Sequence, residues 1–155
     1  MIENIPTIFK AIATAASGLK AFTDWRSQTK GDSRAIIEEL KENSRYFWLV
    51  LEDDSAIDKI ISQLDTKEYD RLCKSGFDFN ALQRKKIAVY PSLNGTDMAS
   101  WQGKETEQLL SNIYDKIKDL KIQYRYSKTN KKILWKQRVK NIQKRILLLL
   151  LHARN

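Results

Sequence analysis

Helix-breaking residues are nearly absent from this chain: glycine and proline number five and two in 155 residues, and the apolar residues between them recur at intervals of three and four rather than two. A period near 3.6 gives each segment one apolar stripe, so the expected fold is all-α, a bundle of about four to six helices. At 42 % hydrophobic the chain can bury a core without disulfides or a metal, and its length suits one domain over residues 1–155. No internal repeat or low-complexity linker divides it.

The helices can be placed from their stripes and stop signals. Pro6 suits a first helical position, and Ile5, Ile8, Ile12, Ala15, Leu19 and Phe22 line one face of a helix running to about Arg26. Asp32 or Ser33 is expected to cap a second helix through Ile36, Leu40, Phe47 and Leu51. After a break at Glu52–Ser55, short helices are expected from Ala56 to about Gln63 and from Thr66 to Lys74, the latter closed by Gly76. The pattern loosens from Phe77 to Gly103, a long loop with a helical turn after Asn80, an extended piece at Ile87–Tyr90, and stops at Pro91 and Asn94-Gly95. Two long helices complete the chain. Lys104 to about Ser127 carries Leu109, Ile113, Ile117, Leu120 and Tyr124 on one face; Asn130 caps a last helix whose stripe is Trp135, Val139, Ile142, Ile146 and Leu149. A connection of only Lys128, Thr129 and Asn130 predicts a long antiparallel helical hairpin over residues 104–155.

Charge is divided unevenly over this framework. Residues 1–115 carry 15 Lys/Arg and 18 Asp/Glu, a net of −3, whereas residues 116–155 carry 13 Lys/Arg against the single Asp119, a net of +12. A solvated helix face normally interleaves Glu with Lys, because like charges at i, i+4 cost stability; an uncompensated set points to an external anion. The expectation is a nucleic-acid surface, for RNA or non-specific DNA, made by Lys118, Lys121, Arg125, Lys128, Lys131, Lys132, Lys136, Arg138 and Lys140, with Tyr124, Tyr126 and Trp135 among them. Trp135 lies on the apolar stripe and reads as core rather than as a stacking platform. No recognition-helix module is legible, which argues against a defined operator site. The lone Cys73 has no partner for a disulfide or a thiolate zinc site and reads as a packing residue. Lys10 and Lys20 interrupt the first apolar stretch, and no secretory signal is legible, so a cytoplasmic protein is expected.

Two patterns bear on catalysis. Arg138, Asn141, Arg145 and His152, the only histidine, share one face of the last helix, with Arg145 and His152 roughly 10 Å apart along its axis. An Arg-(six residues)-His spacing in an all-α chain resembles the signature of HEPN ribonucleases, whose Arg-(four to six residues)-His motif sits on a bundle helix and cuts RNA at a dimer cleft with the 2′-hydroxyl as nucleophile. The resemblance implies that Arg145 stabilises charge on the phosphate, that His152 transfers a proton, and that the protein is a homodimer. The second pattern is acidic: Glu38, Glu39 and Glu42, then Glu52, Asp53, Asp54 and Asp58, including a Glu39-Leu40-Lys41 that fits part of a Mg²⁺ nuclease motif. An all-α chain lacks the sheet on which that site is built, so these residues read as a solvated helix face and a helix start. Neither a metal nor another cofactor is called for. Two further readings stand beside nucleic-acid binding. One is an interaction subunit whose basic hairpin docks an acidic protein. The other is a peripheral membrane protein lying on its amphipathic first helix, for which the buried reading of that helix is preferred.

Overall fold

The computed structural model describes Ile2 and residues 4–155. Its α-helices are α1 (Ala15–Ser27), α2 (Gly31–Glu52), α3 (Ile57–Ile61), α4 (Lys67–Ser75), α5 (Thr106–Ser127) and α6 (Trp135–Arg154), joined by 3-10 turns, with no strand among the described residues. The buried apolar side chains form one cluster that runs from Ile2 and Phe9 to Leu150.

The centre of that cluster is the second half of α6, which packs against α1, α2 and α5. This explains the run Ile146–Leu150, every member of which is buried: a helix apolar on all sides needs neighbours on all sides. Each of these side chains stabilises by roughly 1.5–3 kcal/mol, against roughly 0.2–0.5 kcal/mol of destabilisation per like-charged i, i+4 pair in the same helix. Burial of the second half therefore lets α6 carry unpaired cations in its first half. Within the α2–α6 interface Gln143 Nε2 donates to Ser44 Oγ at 2.9 Å, which fixes the two helices in register. Contacts with α5 include both ends of α6: His152 meets Thr106, and Trp135 meets Tyr124 edge to face at 5.1 Å between ring centroids.

Helix α4 is nine residues long; Thr66 before it caps no amide, and Asp65 Oδ1 accepts only from the Lys67 amide, at 2.9 Å. Glu39 of α2 supplies the cap from a distance, accepting from the Glu68 amide at 2.7 Å and the Tyr69 amide at 3.1 Å, and from the Tyr114 hydroxyl of α5 at 2.8 Å. Burial raises the Glu39 carboxyl above its ordinary range, and those three donors pull it part of the way back. One turn along α2, Asn43 exchanges hydrogen bonds with the Asp65 backbone at 2.7 and 2.9 Å and holds the chain that enters α4. At the other end Gly76 adopts the left-handed conformation expected of it, φ 74°.

Several local expectations are corrected. The first helix is two pieces: a 3-10 turn at Thr7–Ile12, then α1, opened by Thr14, whose hydroxyl accepts from the Ser17 amide at 3.2 Å. The break shifts the register, so Phe9, Ile12, Phe22 and Trp25 are buried while Ile5, Ile8 and Ala15 only lean on the core. Lys30, not Asp32 or Ser33, is the residue before α2, and Asp32 instead pairs with Arg71 of α4 at 2.9 Å. Asn130 caps a turn rather than a helix, accepting from the Lys132 amide at 3.0 Å, so the connection between α5 and α6 runs over residues 128–134. Cys73 is exposed, and Leu72 takes the core position beside it. Ile87 exchanges backbone bonds with Lys104 and Gly103 at 2.9 and 2.8 Å, although no strand forms. Among the described residues no helix is long and apolar enough to cross a membrane.

Candidate nucleic-acid interface

The cations expected to meet nucleic acid fall into groups that the sequence pattern does not separate. Lys118 and Lys121 face the body of the protein. Lys118 Nζ donates to Asp70 Oδ1 at 2.5 Å and lies 5.4 Å from the centre of the Tyr69 ring. Against the effect of burial, hydrogen bonds from Lys118 and Thr66 hold the Asp70 carboxyl below its ordinary range. Lys121 Nζ donates to the Leu64 carbonyl at 2.6 Å, tying α5 to the end of the α3 segment. Both are engaged in holding the fold.

Arg125, Lys128, Lys131, Lys132, Lys136 and Arg138 are exposed around the end of α5 and the start of α6. Among the described residues none of them has a carboxylate within ion-pair distance. Helix α6 begins with no acid in its first turn and no side chain capping its amides, so the positive end of its dipole adds to the same field. Tyr126 and Leu134, 77 % and 68 % exposed, stand among these cations. The other two aromatic residues are committed. Tyr124 donates to Asp58 Oδ1 at 3.0 Å and packs on Trp135, and the Arg138 guanidinium lies 5.9 Å from the Trp135 ring centre. Lys140 is half-buried on α6.

Arg145 and His152 occupy different surroundings. The Arg145 side chain is 11 % exposed, with Nη2 3.8 Å from Asp97, and its Nη1 donates to the Asn141 carbonyl at 2.8 Å. Burial lowers its guanidinium below the usual range. His152 is 2 % exposed, with Nε2 2.8 Å from Thr106 Oγ1. The Thr106 hydroxyl spends its one hydrogen on the Gln83 carbonyl at 2.6 Å, so His152 Nε2 must be the donor in their contact. Gln83 Nε2 closes the circuit by donating to the His152 carbonyl at 3.1 Å. Burial pushes the imidazole pKa down, which keeps it neutral. The pair is thus not displayed together on an open face: one member sits behind Asp97 and the other inside the bundle.

The acidic residues are engaged in the fold, although Glu38, Glu39 and Glu42 line one shallow pocket with Asp65 and Glu68. Glu38 pairs with Arg26, Glu39 caps α4, Glu42 pairs with Arg45 and Asp58 receives Tyr124. Among the described residues no three His, Cys, Asp or Glu side chains come together in a group that could hold a metal ion.

Below the basic end, α5 and α6 enclose a cleft of about 400 Å³ with Leu120 and Ile142 beneath, Ile133 and Leu134 beside, and Lys116, Lys132 and Arg138 at its edge. Asp119, Gln123, Gln137 and Asn141 complete its polar wall, with Gln137 Nε2 donating to Asn141 Oδ1 at 3.0 Å. The sequence pattern singled out neither Lys116 nor Gln123. Their spacing of seven on α5, facing Asn141 and Arg138 on α6, is the signal that would have placed them together. Comparison with known proteins finds no matching family model, no related curated protein and no matching solved structure.

Proposed function

We propose that this protein binds nucleic acid, RNA or non-specific DNA, using α5 and α6 as a basic helical hairpin. The reading is carried by one observation: Arg125, Lys128, Lys131, Lys132, Lys136 and Arg138 are exposed at one end of the pair with no acidic partner among the described residues. Cations held this close repel one another, and phosphates relieve that repulsion while releasing their own condensed counterions. Phosphate contacts carry no sequence information, so weak sequence selectivity is expected. The exposed unpaired thiol of Cys73 suits a reducing cytoplasm.

The test is a salt series of binding to labelled RNA, single-stranded DNA and duplex DNA. Replacing Lys128, Lys131, Lys132 and Lys136 with Gln should shallow the slope of log K against log salt by about three units, at roughly 0.7–0.9 for each phosphate no longer neutralised. An unchanged slope removes this end of the molecule from the account. Failure of every nucleic acid to bind leaves an acidic protein as the partner of the same cations. A ribonuclease role for Arg145 and His152 draws no support from the buried position of His152. RNA integrity in the same tubes tests it directly.

A further inference from the structure

The cleft beneath the basic end is more elaborate than phosphate binding alone requires. Leu120 and Ile142 give it an apolar floor, and Ile133 and the exposed Leu134 continue that surface toward solvent. Lys116 lies on its edge, where burial first and then the charges of Arg145 and Arg138 lower its ammonium pKa, with Asp119 and Asp97 offsetting part of the effect. Partly desolvated cations that act on one another are relieved by a bound anion. Gln123 Oε1 is turned inward, shut off from solvent and without a donor. Rotation of its amide toward a ligand would give up no hydrogen bond at that oxygen. At about 400 Å³ the cleft falls within the range of small-molecule sites, roughly 300–1,000 Å³.

An apolar floor, amides on the wall and three cations at the edge, outnumbering the single carboxylate of Asp119, are the complement of a single nucleotide. The flat face of a base lies on leucine and isoleucine, its edge meets an amide, and its phosphate meets Lys116, Lys132 and Arg138. Building on the nucleic-acid reading above, we infer that this cleft receives one unstacked nucleotide of a single-stranded nucleic acid, base inward and phosphate at the edge. A duplex keeps its bases stacked and must spend free energy to extrude one, so single strands are preferred.

Three labelled probes test this at fixed salt: a short RNA strand, the same backbone with abasic residues throughout, and the RNA in duplex form. The intact strand should bind roughly tenfold or more tightly than the abasic one, the scale of a single stacked base. Gln123→Met and Asn141→Phe leave the charge unchanged. Each should bring the intact-to-abasic ratio toward one while the salt slope stays as in the parent, with circular dichroism confirming the fold. Two variants on different helices keep the test open should one fail to fold. Equal affinity of the parent protein for intact and abasic strands overturns the cleft assignment and leaves the basic end as a phosphate binder. Absence of binding to all three probes overturns both readings. Retention on phosphatidylserine vesicles without strand binding overturns them in favour of a lipid surface.

Discussion

At one end of the α5–α6 pair, Thr106, His152 and Gln83 pass hydrogen bonds around a closed circuit. At the other end, six cations and Tyr126 face solvent, and the first amides of α6 have no side-chain cap. The two ends belong to the same helices yet meet opposite demands. Groups that the fold consumes are satisfied internally and contribute stability; groups that the fold does not need remain available to a ligand. The comparison also separates cations that look alike in the sequence. Lys118 and Lys121 lie on the same helix as Arg125, but they are spent on Asp70 and the Leu64 carbonyl.

The largest expected contrast is in binding. The fourfold Lys→Gln change at residues 128, 131, 132 and 136 should cost about three units of salt slope while changing stability by less than about 0.5 kcal/mol per substitution, as surface substitutions usually do. A fall in urea midpoint matching the drop in affinity would show that the open end holds up the fold. Next comes His152→Ala at the closed end. It removes a buried side chain and leaves the Thr106 oxygen without its donor, for a decrease of about 2–4 kcal/mol in urea unfolding, with strand affinity of the folded protein unchanged. If this variant is as stable as the parent, the circuit is not structural and the comparison collapses.

A smaller effect concerns pH. The folded-state pKa of His152 is lowered, so its contribution is complete above about pH 6.5 and is lost as the pH falls below that value, at up to about 1.4 kcal/mol per pH unit. Glu39, whose carboxyl is raised, acts with the opposite sign: its contribution is complete below its unfolded pKa and is lost as the pH rises through its folded one. Urea unfolding of the parent and of His152→Gln between pH 7.5 and 5.5 isolates the histidine, since only the parent should show its decline. The smallest effect is expected for Lys118→Gln. Its ion pair with Asp70 is about two-fifths exposed on both sides and screened by solvent, so the variant should be destabilised by roughly 0.2–1 kcal/mol with the salt slope unaltered. A slope change as large as that of a Lys131 substitution would mean that Lys118 leaves Asp70 to bind phosphate.

Periodicity made the helices legible where a single stripe decides burial. Leu109, Ile113, Ile117 and Leu120 on α5, and Val139, Ile142, Ile146 and Leu149 on α6, are all buried as their spacing requires. It failed where a polar side chain does the deciding. The break at Thr14 depends on a hydroxyl reaching the amide of Ser17, a bond that apolar spacing cannot announce. His152 sits on a stripe that reads Arg138, Asn141 and Arg145, so nothing in the pattern marks it as buried. Its polar partners, Gln83 and Thr106, return from far away in the chain. For the candidate site, the sequence supplied the concentration of charge but not its availability, because an ion pair such as Lys118 with Asp70 joins residues far apart in the chain.

The cap that Glu39 places on α4 bears on the order in which the chain folds. A nine-residue helix whose second and third amides have no local acceptor is too short to persist in isolation, since nucleation is unfavourable and elongation over two turns does not recover its cost. Its Glu68 and Tyr69 amides find their acceptor only when α2 and α4 have docked, across a sequence separation of about 30 residues. Formation of α4 thereby depends on tertiary docking rather than on local interactions alone. In hydrogen exchange the Glu68 and Tyr69 amides should open together with the α2 interface, not by the fraying that governs the ends of an autonomous helix.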